Sequence, residues 1–283
     1  MQEWKIGDVR VRAAVEVAVP VPAAAMVAEL DLESAAEHLG WLQPDYVDAD
    51  GNIRLAVQSF LVESAGRRIV VDTCFGHGHA LPYDLGLDTR HHPATLADAG
   101  FGREDVDVVV CTHLHLDHVG WNVIQTANGW EPMFPNAQYL FGNDEYDHWR
   151  GESDPNKAND ESVQLLVDAG LARLVANDHE ITPEVGLVPT PGHTPGHVSV
   201  RIDSGGQSAL ISGDLVHHPV QIARPDWPSV PDFDPEAAMA MRRTTFATLA
   251  DTDVLLLGTH FNAPAGGYVR SAGHGWTWAA HKG

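Results

Sequence analysis

The stretch HLHLDH occupies residues 113–118 and directly follows the apolar run VDVVVCT. Such a continuous apolar run is typical of a buried strand. Because side chains alternate along an extended chain, His113 and His115 point the same way, and Asp117 and His118 follow where the chain turns. Neutral imidazoles and carboxylates are the ligands that zinc prefers, and no packing requirement selects this pattern. The stretch therefore predicts a metal site at the end of a strand, and its geometry suits two metal ions better than one.

Three further polar residues each follow a predicted strand. They are His193 in TPGHTPGH, Asp214 in SGD and His260 in GTH. A glycine one or two residues before each of them lets the backbone turn sharply towards the site. Taken alone, His193 would more often be a turn residue, and Asp214 would more often be a helix cap. Together with HLHLDH, the three residues strengthen the prediction of a metal site.

The charge of the chain restricts its partners. The 283 residues include 39 Asp and Glu against 17 Lys and Arg, which gives a formal net charge of −22. Proteins that bind nucleic acid neutralise phosphates with Lys and Arg, so we expect no nucleic-acid partner and no membrane partner. Cys74 and Cys111 form no CxxC pair, which predicts two free thiols. No secretory signal is visible at the N-terminus, and we expect a cytoplasmic protein.

The pattern of apolar runs and turn residues predicts a mixed α/β protein in which residues 1–283 form a single domain. Residues 1–30 are a candidate N-terminal arm that could mediate a homodimer. The predicted strands are Trp4–Val19, Leu55–Glu63, Arg68–Asp72, Val106–Thr112, Val185–Thr190, Val198–Ile202, Ala209–Ser212 and Asp253–Leu257. The predicted helices are Pro93–Ala99, Asn143–Arg150, Asp160–Ala169 and Pro235–Ala250, the last with Asp234 as its N-cap. Asp253–Leu257 is predicted to be the last strand, and the segment after His260 is short and rich in glycine, which does not fit a helical tail.

The ordered set HxHxDH, PGHTPGH, SGD and GTHF resembles the metallo-β-lactamase superfamily of binuclear metallohydrolases, over residues from about Leu55 to Phe261. The stretch GDLVHHPVQ at residues 213–221 is most similar to the branch that contains N-acyl-homoserine lactonases and methyl-parathion-hydrolase-like enzymes. The resemblance implies an αββα sandwich, with two mixed β-sheets flanked by helices and the site along one edge of the sandwich.

The resemblance also implies roles for individual residues. Two divalent metal ions are expected, with zinc favoured over iron, manganese or cobalt. By analogy, the first ion is bound by His113, His115 and His193, the second by Asp117, His118 and His260, and Asp214 bridges the two. Asp72 in the sequence Asp-Thr-Cys would lie beside the ligands and hold them in place without itself binding a metal ion. Here Cys74 stands where the superfamily usually has glycine, which brings the local turn into question.

The expected reaction is the opening of a lactone or the cleavage of a carboxyl ester by a hydroxide that bridges the two metal ions. Asp117 is expected to orient this nucleophile or to take up its proton. His217 lies three residues after Asp214, where some lactonases have a tyrosine, and is either a general acid or part of an exposed loop. The aromatic residues Trp121, Phe261 and Phe75 are candidates for the substrate pocket. The remaining loop histidines are expected to be exposed to solvent, with a position at the rim of the substrate pocket as the alternative: His77, His79, His91 and His92.

Three other functions remain open for this sequence. A phosphotriesterase of the same fold is the first alternative, because hydroxide attacks phosphorus as readily as carbon. An iron-dependent redox enzyme similar to persulfide dioxygenases is the second, since such enzymes retain the HxHxDH pattern. An inactive scaffold that binds metal is the third. The presence of all the expected ligands argues against the scaffold.

Overall fold

The computed structural model describes residues 1–79, 86–150, 152 and 160–281. Within these residues, one mixed sheet has seven strands in the order β1-β2-β3-β4-β5-β8-β9. Its antiparallel half pairs β1 to β4, and its parallel half pairs β4, β5, β8 and β9. The strands are β1 (Gln2–Ile6), β2 (Val9–Pro22), β3 (Asn52–Ser64), β4 (Arg67–Val71), β5 (Val108–Val110), β8 (Gln138–Gly142) and β9 (Ala172–Val175).

In the same described part of the chain, a second mixed sheet has six strands in sequence order, with one parallel pair between β12 and β13. Its strands are β10 (Val185–Pro189), β11 (Val198–Ser204), β12 (Gln207–Ile211), β13 (Leu255–Leu257), β14 (Gly266–Ala272) and β15 (Gly275–His281). A separate hairpin joins β6 (Val123–Thr126) to β7 (Gly129–Pro132). The helices are α1 (Leu39–Leu42), α2 (His92–Asp98), α3 (Leu116–Val119), α4 (Asn143–Trp149), α5 (Asp160–Asp168), α6 (Val220–Ala223) and α7 (Pro235–Leu249).

The two sheets pack face to face. The side chains of β5 alternate between the core shared by the two sheets and a second core on the outer face of the first sheet. Val108 and Val110 point into the core shared with the second sheet, whereas Val109 points into an outer core against α2 and α5. On the other side of the sandwich, Phe246 of α7 packs on Trp276 of β15. The predicted αββα sandwich of mixed sheets with helices outside is therefore confirmed.

Several predicted elements are confirmed, including α4, α5 and the long helix α7. Asp234 caps α7 as predicted, because its carboxylate accepts a hydrogen bond from the backbone N–H of Ala237 at 3.0 Å. The prediction of one strand over Trp4–Val19 is wrong. Gly7 adopts a φ of 58° and divides this stretch into the hairpin β1–β2.

Both ends of the chain contribute strands to the sheets. Residues 1–30, the candidate arm, supply β1 and β2, which pair within the first sheet. A role of this segment in a homodimer stays a prediction, as does the assignment of the whole chain to one domain. The expectation that Asp253–Leu257 is the last strand is wrong, because β14 and β15 follow it and form a hairpin along the second sheet. Among the described residues, none of the helices has the length and apolar character needed to cross a bilayer.

Candidate metal centre

The HLHLDH stretch lies directly after β5, at the edge where the parallel strands β4 and β5 end. Asp72 follows β4 and is buried there. Its carboxylate accepts hydrogen bonds from the N–H of Thr112 (2.8 Å), from the hydroxyl of Thr112 (2.9 Å) and from Nδ1 of His118 (2.9 Å). Asp72 thus joins the end of the neighbouring strand to His118 by hydrogen bonds, and its role in supporting a metal ligand stays a prediction. Cys74 adopts a φ of 56°, so the turn that usually needs glycine forms in its presence.

In four candidate ligands, the Nδ1 atom forms a hydrogen bond with a residue that is not itself a candidate ligand. The four are His118, described above, and His113, His193 and His260. His193 donates to Asp232 Oδ1 at 3.1 Å and His260 donates to the carbonyl oxygen of Ala56 at 2.9 Å. His113 donates to the hydroxyl oxygen of Thr112 at 3.1 Å, since that hydroxyl gives its own proton to Asp72. When such a ring is neutral, its contact keeps the proton on Nδ1, and the lone pair of Nε2 is directed to the centre of the site.

Asp214 lies between two sets of imidazoles, and its carboxylate is close to members of both. Its Oδ1 is 3.3 Å from Nε2 of His118 and 3.1 Å from Nε2 of His260. Its Oδ2 is 3.7 Å from Nε2 of His113 and 3.3 Å from Nε2 of both His193 and His260. One carboxylate therefore contacts histidines of both ligand sets that the resemblance implies, and the assignment of the sets to two ions stays a prediction.

The remaining two predicted ligands join the same cluster. His115 Nδ1 is 3.0 Å from Nε2 of His193. Asp117 Oδ2 is 3.6 Å from Nε2 of His260 and 3.7 Å from Nε2 of His118. Two groups of side chains hold their donor atoms within 4.8 Å of one another, namely His113, His115, His193 and Asp214 in one group and Asp117, His118 and His260 in the other.

The donor atoms fit divalent metal ions. His113 Nε2, His118 Nε2 and Asp214 Oδ1 are buried and have no hydrogen-bond partner in the described part of the protein. Buried polar atoms without partners are rare in folded proteins, and a bound ion is one of the few arrangements that satisfy them. Imidazole nitrogen with carboxylate oxygen is the ligand combination that suits zinc.

Burial and mutual attraction determine the charge of the cluster. Burial lowers the pKa of His113 and of His115 well below the ordinary value, so both rings are neutral, which is the form that binds metals. Burial of Asp214 favours its protonated form, but the imidazoles of His118 and His260 outweigh this and hold the pKa of Asp214 well below its usual range. The central carboxylate is therefore ionised at neutral pH.

Glu145 of α4 is a buried carboxylate whose role the sequence analysis missed. It accepts hydrogen bonds from the N–H of Leu114 (3.0 Å), the hydroxyl of Thr194 (2.7 Å), the N–H of Gly196 (3.0 Å) and Nε1 of Trp149 (2.6 Å). Glu145 thereby joins the HLHLDH stretch to the PGHTPGH loop. Within a predicted helix, nothing distinguished this glutamate from its exposed acidic neighbours.

Three further supporting residues were also missed. Asp232 receives the Nδ1 proton of His193 and forms a buried ion pair with Arg242, whose guanidinium nitrogen lies 3.2 Å away. His197, quoted within the PGHTPGH motif but assigned no role, accepts a hydrogen bond from the backbone N–H of Asp214 at 2.8 Å. Only the position of His197 in the motif was a signal in the sequence.

His217 and its neighbour His218 are both buried, so the alternative that His217 is part of an exposed loop is wrong. His217 Nε2 lies 3.1 Å from Asp214 Oδ2 without forming a hydrogen bond, which places the ring at the edge of the cluster. His218 points away from the cluster, and its Nε2 donates to the carbonyl oxygen of Tyr46 at 3.0 Å.

The three aromatic candidates for a substrate pocket are buried side chains. Phe261 is fully buried in the core between the sheets, where its ring lies 5.3 Å from that of Trp278. A contact of Phe261 with substrate stays a prediction. Trp121 and Phe75 belong to the outer core, where Trp121 Nε1 donates to the buried carboxylate of Glu16 at 2.6 Å. A contact of Trp121 or Phe75 with substrate stays a prediction.

Two of the four loop histidines are exposed as expected, namely His77 and His91. His79 instead stacks on Trp130, with ring centroids 4.4 Å apart. His92 is fully buried, and the expectation that it is exposed is wrong. The reason is that α2 begins one residue earlier than predicted and turns His92 towards the sheet, where its Nε2 lies 3.3 Å from the hydroxyl of Ser59.

A family model described as the metallo-beta-lactamase superfamily matches residues 52–260, the stretch that contains all seven candidate ligands. The chain belongs to the metallo-beta-lactamase superfamily. Among curated relatives of this superfamily member, an N-acyl homoserine lactonase of a Bacillus species is 31% identical over 169 residues, and one of Bacillus cereus is 28% identical over 171 residues. The matched regions cover 53% and 54% of this chain and 59% and 61% of the relatives' own lengths.

Solved structures extend the similarity of the fold to nearly the whole chain. AidC, described as a dizinc quorum-quenching lactonase in complex with a product, has a TM-score of 0.79 at 23% identity, with 99% of this chain and 97% of that chain covered. The hydrolase AbOPH of the beta-lactamase superfamily has a TM-score of 0.81 at 24% identity, with the same coverage. At these identities the similarity establishes the fold.

Proposed function

We propose that this chain is a hydrolase of lactones or carboxyl esters that uses two divalent metal ions, with zinc as the expected metal. The observation that carries the proposal is the position of Asp214, whose carboxylate lies within 3.7 Å of imidazole nitrogens from both sets. In this proposal, His113, His115 and His193 would hold one ion, Asp117, His118 and His260 would hold the other, and Asp214 would contribute to both. The lactonases among its relatives support a lactone as the substrate class.

The chemistry that the ions supply when bound is a lowered pKa of water, which provides hydroxide at neutral pH, and polarisation of the ester carbonyl. The side chains of this protein perform the remaining tasks. Asp117 has 22% of its side chain exposed, the largest exposed fraction among the seven candidate ligands, and so faces the entrance of the site. We assign to Asp117 the orientation of the attacking water and the uptake of its proton.

His217 faces the site from the side of Asp214, with a buried Nε2 that has no partner among the described residues. Burial lowers the pKa of His217, so its ring is neutral at neutral pH and can donate a hydrogen bond to an oxygen that gains charge. The oxygen that leaves when the ester bond breaks is such an oxygen. A complete proton transfer from His217, the general-acid role expected from the sequence, stays a prediction.

The proposal is tested with purified protein by elemental analysis and by a substrate panel of N-acyl-homoserine lactones, aryl esters and phosphotriesters. We expect zinc in the protein and the highest kcat/KM on lactones or aryl esters. Asp214→Ala should abolish hydrolysis and retain the circular dichroism spectrum of the wild type. Asp253→Ala, at an exposed carboxylate remote from the site, is the matched control. Full activity of Asp214→Ala would reject the bridging role, and hydrolysis of phosphotriesters alone would reject the substrate class.

A further inference from the structure

The amide of Gln221 has a fixed orientation behind His217. Its Oε1 accepts hydrogen bonds from the backbone N–H groups of His217 (2.9 Å) and His218 (3.3 Å), which are donors only. Its Nε2 therefore points the other way, and donates to the carbonyl oxygen of Trp227 (3.0 Å) and to the hydroxyl oxygen of Ser229 (2.9 Å). Gln221 and Ser229 are both buried, so solvent does not compete for these bonds.

The orientation of Gln221 determines where the hydroxyl proton of Ser229 goes. The oxygen of Ser229 already accepts a proton from Gln221, and its own proton needs an acceptor. Within the described residues, the acceptor in hydrogen-bond contact with this hydroxyl is Nδ1 of His217, at 2.8 Å. His217 Nδ1 therefore accepts a hydrogen bond, and in the neutral ring the proton resides on Nε2, the atom that faces Asp214.

The segment that contains Ser229 also determines the tautomer of His193, in the opposite sense. Three residues after Ser229, the carboxylate of Asp232 accepts a hydrogen bond from His193 Nδ1 at 3.1 Å, and Arg242 holds this carboxylate at 3.2 Å. His193 therefore has its proton on Nδ1 and a free lone pair on Nε2, as a metal ligand requires. Nδ1 of His217 contacts a hydroxyl and Nδ1 of His193 contacts a carboxylate, so the two rings have different tautomers.

We propose that Gln221 and Ser229 are positioning residues that hold the proton of His217 on Nε2, so that His217 acts as a hydrogen-bond donor to the substrate and not as a metal ligand. The alternative is that His217 binds a metal ion. Its ring nitrogen lies within 4.8 Å of the ligand atoms of His193 and Asp232 in one group, and of Asp214 and His260 in another. The use of the donor on substrate rests on the proposed function, whereas the tautomer depends only on the contacts of Gln221 and Ser229.

The tautomer is measured by long-range ¹⁵N–¹H correlation spectra of zinc-loaded protein labelled at histidine, with His217 assigned from its loss in His217→Gln. His218 is an internal reference for a proton on Nε2, because its Nε2 donates to Tyr46 and its Nδ1 accepts from the N–H of Val220. We expect His217 to show the same pattern as His218. Ser229→Ala should shift His217 towards the Nδ1-protonated form, and Ser229→Thr, which retains the hydroxyl, should restore the wild-type pattern. A wild-type His217 with its proton on Nδ1, or a spectrum unchanged in Ser229→Ala, would overturn the proposal.

Kinetics and metal content test the consequence for the reaction. Ser229→Ala should lower kcat about tenfold, with KM and zinc content unchanged, and Ser229→Thr should recover most of this loss. His217→Gln should retain the zinc content of the wild type, and loss of zinc from this variant would identify His217 as a ligand and reject the proposal. If wild-type protein hydrolyses no ester, the proposed function is rejected, while the tautomer read from the spectra is not.

Discussion

His92 provides a quantitative test of how burial affects stability in this protein. Its ring is fully buried between the start of α2 and the first sheet, with Nε2 3.3 Å from the hydroxyl of Ser59 and 3.7 Å from Sγ of Cys74. Its Nδ1 has no hydrogen-bond partner among the described residues. Burial lowers the pKa of His92 from 6.5 to about 3, and the neighbouring imidazole of His91 adds to the effect.

The direction of the pH effect follows from this lowered pKa. Above pH 6.5 the His92 side chain is neutral in the folded and the unfolded chain and has no effect on the free energy of unfolding. As the pH falls, the unfolded chain binds a proton that the folded chain excludes, so stability is lost until the folded pKa is reached. Since pH 5 lies about 1.5 units below the unfolded pKa and each unit carries about 1.4 kcal/mol, the loss at pH 5 is about 2 kcal/mol.

The assay is urea denaturation of wild type, His92→Gln and His92→Phe at a series of pH values from 8 to 5. We expect both variants to lose about 2 kcal/mol less than wild type between pH 7 and pH 5, whatever their stability at pH 7. His91→Gln, at the exposed neighbouring position, is the matched control and should keep the pH dependence of the wild type. Equal slopes in wild type and both His92 variants would refute the reasoning, because they would mean that folded His92 takes up its proton as easily as unfolded His92.

Three further predictions concern the metal centre and its support. Asp72→Asn replaces the carboxylate that accepts from Thr112 and from Nδ1 of His118 with a neutral amide that has a single acceptor oxygen. It should weaken zinc binding by about 10- to 100-fold in competition with a chelator, and unchanged affinity would contradict the supporting role. Glu145→Gln places an amide NH₂ among N–H and hydroxyl donors and should lower the free energy of unfolding by about 3 kcal/mol in urea, whereas Asp147→Asn on the exposed side of the same helix should change it little. Zinc added to metal-free protein at 100 times its Kd should stabilise the fold by about 2.7 kcal/mol, and a melting temperature insensitive to zinc would argue against a site that forms only in the folded state.

The sequence predicted the elements that border the site better than those at the edges of the sheets. The apolar runs around β5 and β13 and the capped helix α7 carry strong local signals, and the structure has an element at each. The strands β8, β9, β14 and β15 were not predicted. β14 and β15 are rich in glycine and aromatic residues, and they become strands because a neighbouring strand is available for pairing.

The sequence by itself determined which side chains can serve as metal ligands. Few residue types bind a metal ion, and their spacing after apolar runs is visible along the chain. Only the tertiary structure decided which atom of each side chain faces the centre. That choice depends on the group that contacts the other nitrogen of each ring. For His193 this group is Asp232, 39 residues away; for His260 it is Ala56, 204 residues away; and for His217 it is Ser229, 12 residues away. An imidazole places its proton according to its hydrogen-bond partner, so whether a histidine binds a metal or donates a proton is settled by contacts between distant parts of the chain.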